Sequence, residues 1–489
     1  MSFSDLPKFV FLYLSSFFDI KSFATFSLIN KKYYKNFSHI RKLFEIQQNF
    51  YFKEIHFQSI PKMIEDSQKN SESILHLVCG IKDLSLELIK CLIENKSDLN
   101  LKEKGYIPLH LALRNKEASI ETIKYLIEKK SDLNSTDKFY FTALHIASKS
   151  QYYGIEKVKI LVESKSDLNI QDDFGNIPLH LACKSEFSNN DIISYLIEKK
   201  SEINLRDNQL GNTPLHLVCR KKKISFEIVK ILIENKSDLN LNNYDKDNAI
   251  IYACQNENVS LELIKYFADN KSKMNIIDGN QNTPLHLAVK NKNISLEIIK
   301  CLVENKSDLN VMDKYHNSPI HLAFFREKIS NEIIRYLIES KSDLNILNNS
   351  GNNFLHITCK QKNISFEIIK LLIENKCSIN VPGERKNTPF HLACQNQNFS
   401  FEIVNYFVEN KSDLNFLNDF GSIPLHDACQ NENNSFEIVK CLTENKSDLN
   451  LKEIHGKSTF QLVCENKKIS YEIIKFLIES KHDLNNIDK

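Results

Sequence analysis

A histidine returns along this chain at an almost fixed step. It stands at His76, His110, His145, His180, His216, His286, His321, His356, His391 and His426, and Ile251 and Gln461 fill the same slot in two further units. The step is 34 to 36 residues and mostly 35. A period in this range is the mark of a solenoid, in which each unit buries its apolar face only against its neighbours. Twelve units run from about 71 to 489. The period also answers a question of size, because 489 residues are too many for one compact core.

Each unit reads as helix, loop, helix, loop. In residues 211–240 the first helix is predicted near Thr213-Pro214, with Thr as N-cap and Pro at the first helical position, where its missing N–H costs nothing. Leu215, Leu217, Val218 and Cys219 give it a short apolar face. The second helix is predicted from Ser225, a slot held by Ser in ten of the twelve units, with Glu227 at the positive helix end. Ile228, Val229, Leu232 and Ile233 form its apolar stripe at helical spacing. The near-constant Glu-Asn-Lys-Ser-Asp-Leu-Asn then carries the chain onward.

The Thr-Pro-Leu-His-Leu-Ala start and the Ser-Asp-Leu-Asn ending resemble the ankyrin repeat over about 420 residues. The resemblance implies an all-α solenoid of helix pairs with β-turn fingers projecting from one edge. Two departures stand out. The loop between the helices is about two residues longer, and Lys stands where a Gly usually ends the second helix. The Asn before that Lys is expected to take the left-handed conformation instead, since Asn tolerates it better than most residues.

Ten histidines in register also suggest a metal or a catalytic site. One per layer cannot converge on a metal, and no His or Cys pair has ligand spacing, so neither metal nor cofactor is expected. Each His stands at a helix start, where an imidazole can bond loop backbone and tie one repeat to the next. Cys79, Cys183, Cys219, Cys254, Cys359, Cys394, Cys429 and Cys464 follow the His slot by three residues. They read as small buried apolar residues in a reducing setting, cytoplasmic or nuclear. No phosphate loop, nucleophile elbow or zinc-protease helix is present, so the chain reads as non-enzymatic. Lys+Arg 64 against Asp+Glu 62 gives no reason to expect nucleic acid as a partner.

The repeats are their own alignment. The second helix and Lys-Ser-Asp-Leu-Asn hardly vary, whereas the finger tips do. Tyr106, Phe139, Tyr140, Phe174, Tyr244, Tyr315 and Phe420 place aromatics there, and aromatics are enriched at binding hot spots. They are the candidate partner-binding residues, and a protein ligand is what the resemblance implies. Packing of some of these rings onto neighbouring fingers is the competing reading.

Residues 6–37 match nothing later in the chain. The apolar run Phe9 to Phe18 is about ten residues, half a membrane span, and Asp5, Asp19 and Lys21 flank it. Neither a signal peptide nor a membrane helix is expected. Val10, Phe11, Leu14 and Phe17-Phe18, then Phe23, Phe26, Ile29 and Tyr33, recur at helical spacing. The stretch is too short to bury its own apolar faces.

Leu6-Pro7, Leu14, Ser16, Phe18, Phe23, Ser27-Leu28-Ile29 and Lys31-Lys32-Tyr33 fall without a gap into a register that resembles the F-box, with Tyr33 in place of the usual Trp and Phe9 where an acidic residue is common. The resemblance implies docking on a Skp-type adaptor of a cullin–RING ubiquitin ligase through Leu6, Pro7, Leu14, Phe18, Phe23, Ile29 and Tyr33. The plainer alternative is a helical cap on the first repeat, with no ligase connection. The expected organisation is an F-box-like module at 1–40, a helical connector and degenerate cap at 41–70, and the repeat array at 71–489.

Overall fold

The computed structural model describes residues 74–480, apart from 81–85, 95, 117, 151–153, 186–189, 324–330, 363–364, 432–434, 467 and 469. The F-box-like module and the connector lie outside the described residues. The chain forms two compact units, Met1–Ser201 and Glu202–Lys489. The described part of the first holds four helix pairs, from Ile74–Gly80 to Asn190–Glu198, and the second holds eight, from Pro214–Cys219 to Tyr471–Glu479. Among the described residues there is no strand, only the isolated bridges Glu103–Tyr106 and Lys452–Ser458. Within each unit first helices stack on first helices and second on second.

The first helix is short and depends on its start. In Pro284–Lys290, the Thr283 hydroxyl accepts the His286 N–H at 3.4 Å and His286 Nδ1 accepts the Thr283 N–H at 3.1 Å. Two orphan amides are satisfied reciprocally, with imidazole in the place of the usual Glu. Pro284 supplies the fixed φ of the first turn. Because Nδ1 accepts, the proton sits on Nε2, which donates to the Asn317 carbonyl in the next finger at 3.1 Å. His145, His356 and His391 repeat this link to Asn176, Asn387 and Ser422. The tie between repeats expected of these histidines is therefore present.

The second helix begins at the Ser its sequence implies, although Ser225, Ser435 and Ser470 stand at the N-cap without a side-chain cap bond. Ser260, Ser295 and Ser400 accept the N–H three residues on. In Leu296–Glu304 the buried side chains are Ile298, Ile299, Cys301 and Leu302. Each such aliphatic residue contributes roughly 1.5–3 kcal/mol on full burial.

Its ending differs from expectation. The left-handed residue is the Lys, not the Asn: φ is 70° at Lys236, 66° at Lys306 and 64° at Lys411. Asn235, Asn305 and Asn410 keep φ near −90°. The helix end forces this choice. Ser237 N–H reaches the Leu232 carbonyl and Lys236 N–H the Ile233 carbonyl, a Schellman pair that requires positive φ at position 236. The Asn side chain works elsewhere, donating at 2.8 Å to the Ile231 carbonyl one turn back.

The constancy of the Asn that closes the Ser-Asp-Leu-Asn segment has a similar cause. Asn275 Oδ1 accepts the Asp308 N–H of the next repeat at 2.7 Å, and its Nδ2 donates to the Lys306 carbonyl at 3.0 Å. Asn240, Asn380 and Asn415 bridge in the same way. A second Asn ladder accounts for the longer inter-helix loop. Asn291 Nδ2 donates to Asn256 O and Asn431 Nδ2 to Asn396 O, so the added residues bond repeat to repeat.

The cysteines are free, and eleven of the twelve are buried as small core residues. Burial pushes the Cys79 and Cys429 thiols up to about 12. Cys464 departs from expectation and is exposed. It lies in the last described helix pair, where no further described pair stacks on that slot.

Candidate binding surface

Most fingers are organised by one side chain ahead of the tip, Gly383 being an exception. Asp278 Oδ1 accepts the N–H groups of Asn280 and Asn282, and Asp313 Oδ1 those of Tyr315 and Asn317. Asn243 and Asn418 do the same. The tip then closes with a left-handed residue, Tyr140, Gln281 or His316 among others. Successive tips are joined main chain to main chain: Tyr244 N–H to Leu210 O at 2.8 Å, Lys314 to Asn280 at 3.1 Å, and Ile454 to Phe420 at 2.7 Å. The slot is legible in the sequence as an Asp or Asn just before most of the variable tips, with Glu103, Gly383 and Glu453 as the exceptions.

The tip aromatics divide. Phe139, Tyr140, Phe174, Tyr244, Tyr315 and Phe420 are exposed, with Tyr244 at 61% and Tyr315 at 57%. Tyr244 still rests one side of its ring against the Gly211 backbone, leaving no room there for a Cβ. Tyr106 differs from the rest, because it is only half-buried and is held by its neighbours. The Arg114 guanidinium lies 4.7 Å from its ring centroid while bonding its hydroxyl and the buried Asp137 carboxylate, and its carbonyl accepts from His76.

The end of the first helix faces the same fingers. Lys184 donates to Asn176, Lys290 to Asn282 and Lys360 to Glu384. Within each unit, fingers and first-helix ends therefore share a surface. A second exposed apolar set on it escapes a reading aimed at aromatics: Ile277, Met312, Leu347 and Leu417.

The chemistry of this surface is that of recognition. Burial lowers the His216, His286, His321, His356, His391 and His426 imidazoles to about 4, which keeps them neutral. Burial pushes the Asp247 carboxyl up to about 6, with the Asp278 charge adding to the effect. Among the described residues no group of three or more His, Cys, Asp or Glu could hold a metal ion. No described helix is long and apolar enough to cross a membrane.

A family model described as "Ankyrin repeats (3 copies)" matches the chain in eight overlapping windows, from 48–137 to 390–488. The first window begins inside the segment read as connector and degenerate cap. No curated protein matches the chain.

Proposed function

The chain belongs to the ankyrin-repeat family, and from that premise we propose that it is a non-enzymatic adaptor whose fingers hold a protein substrate for a ubiquitin ligase. Ankyrin repeats are protein-interaction modules, so the partner class is protein. The observation that carries the binding reading is the exposure of Tyr244 and Tyr315 on tips whose backbone is already bonded to the neighbouring finger. The fold leaves most of each ring in solvent, and large exposed aromatics are the residues partners use as anchors.

The ligase part rests on the F-box-like register of residues 6–37, in which Leu6-Pro7 opens an apolar helix pattern that closes at Lys31-Lys32-Tyr33. Its test is retention of a purified Skp-type adaptor by the full-length chain. Retention that disappears on deletion of residues 1–40 supports the reading. No retention, or equal retention after the deletion, leaves an ankyrin scaffold with a helical cap. The binding part is tested separately by proximity labelling with the full chain and with Tyr244→Ser/Tyr315→Ser. The labelled set is expected to shrink in the variant, and an unchanged set removes the tips from the binding surface.

A further inference from the structure

Five consecutive fingers of the second unit share an exposed apolar residue at one register, directly before the turn-forming slot. They are Ile277, Met312, Leu347, Pro382 and Leu417. The four large side chains are between 39% and 45% exposed. The set has edges, because the same register holds Arg206 and Asn242 on the two preceding fingers and Lys452 on the following one. Those three fingers close with the same main-chain bonds, Asp207 N–H to Asn212 O, Asn243 to Asp247 and Glu453 to Lys457. An apolar residue here is therefore not a requirement of the finger.

Stacked helices lie about 8–10 Å apart, which sets the step from one apolar residue to the next. An extended polyproline-II chain rises about 3.1 Å per residue and turns in three, so it returns one face every ~9 Å. A helix returns a face about every 10.5 Å over seven residues, but it is ~10–12 Å wide and needs a second apolar row. Beside this stripe stand mostly polar residues: the buried Asp278 and Asp313 next in sequence, and charged or amide groups at the tips, where Tyr315 and Phe420 are large and exposed but sit three fingers apart and so make no continuous second row. A row one side chain wide suits an extended strand.

Charge specifies the rest of the ligand. On these fingers and the described ends of their first helices, the exposed charges are Lys290, Lys314, Lys360, Arg385 and Lys386 against Glu384 and Asp419. We propose that the stripe from Ile277 to Leu417 docks an extended acidic peptide segment in which every third residue is apolar. This rests on the reading of the fingers as the protein-binding surface and names the kind of segment they take.

The test uses the full chain and three labelled peptides of about 15 residues, long enough to span five repeats. One has Leu at every third position with Glu and Asp between. The second has the same composition with Leu at every seventh and adjacent fourth position, and the third replaces the acids of the first by Lys. The first is expected to bind with a Kd on the order of 1–100 μM. The other two are expected to bind at least about tenfold more weakly. Met312→Glu/Leu347→Glu is expected to weaken the first peptide at least about tenfold, and Met312→Gln/Leu347→Gln by less, with the melting curves unchanged because both residues are exposed. Binding that does not depend on register, binding indifferent to the stripe variants, or no binding of the first peptide overturns the proposal. The Tyr244→Ser/Tyr315→Ser labelling result is independent of these outcomes. A loss there with no peptide binding would retire the stripe and leave the fingers as the binding surface.

Discussion

His286 Nε2 lies 3.1 Å from the main-chain oxygen of Asn317, thirty-one residues away, while Nδ1 of the same ring accepts the N–H of Thr283 at 3.1 Å. One neutral ring thus caps its own helix and holds the next finger. A protonated ring would lose the first bond, since it has no acceptor.

Acid is therefore expected to undo the second unit. Six of its histidines are lowered to about 4 by burial, against about 6.5 in the unfolded chain. The unfolded state binds the extra protons, so their contribution is fully present above about pH 6.5 and is lost as pH falls toward 4. Each adds a slope approaching ~1.4 kcal/mol per pH unit inside that window. His286→Gln is expected to cost about 1–2 kcal/mol at pH 7 and to flatten the pH dependence. Gln461, whose Oε1 accepts the Ser458 N–H at 2.9 Å, shows that Gln can cap here. Urea midpoints across pH check this, and an unchanged slope would refute it.

The left-handed lysines predict stabilisation by glycine. A non-Gly residue pays about 1–2 kcal/mol for this conformation, offset in part by the greater unfolded freedom of Gly. Lys306→Gly, at φ 66°, is expected to gain about 0.5–1 kcal/mol in urea unfolding. A loss would mean that the Lys side chain contributes more to the fold than its backbone costs.

The Asn ladder predicts a cost out of proportion to exposure. Asn275 is exposed but joins two repeats through two bonds. Asn275→Ala is expected to lose about 1–2 kcal/mol, whereas Asn280→Ala at a tip should lose under about 0.5 kcal/mol. Equal urea midpoints for the two variants would count against the ladder.

Asp427 occupies a slot held by Leu217, Leu287 and Leu392 in other repeats. It is buried, its Oδ2 has no partner, and burial pushes its carboxyl up to about 7. Asp427→Leu is expected to gain about 1–3 kcal/mol at pH 8. The native state holds this proton more tightly than the unfolded chain, so the wild type recovers stability as pH falls from 7 toward 4. The gain should shrink over that range, opposite in sign to the histidine effect. Thermal melts of the two proteins at pH 8 and pH 5.5 measure it, and a gain that does not shrink would place the charge elsewhere.

Much of this was legible in one dimension because a repeat reports its own alignment. The 35-residue step, the proline or small polar residue at most first-helix starts and the Ser ahead of most second helices marked out twelve helix pairs, since local capping and apolar spacing are short-range and recur with small changes. What the sequence left open or misjudged depended on neighbours. For Tyr106 binding and packing were both open from sequence, and the structure shows Arg114 reaching it from the first helix on its way to Asp137. Cys464 read as buried like its equivalents, but burial in that slot comes from the repeat stacked on it. Asn was assigned the left-handed turn on intrinsic preference, whereas two main-chain bonds place that turn one residue later.

The sequence by itself determined the architecture, because each unit carries its own start, stop and apolar faces. Only the tertiary structure decided which constant residues are ties and which variable ones stay in solvent. The bonds of Asn275 to Lys306 and Asp308, and the exposure of Met312 and Leu347 on adjacent fingers, exist only once residues some thirty-five apart are stacked side by side.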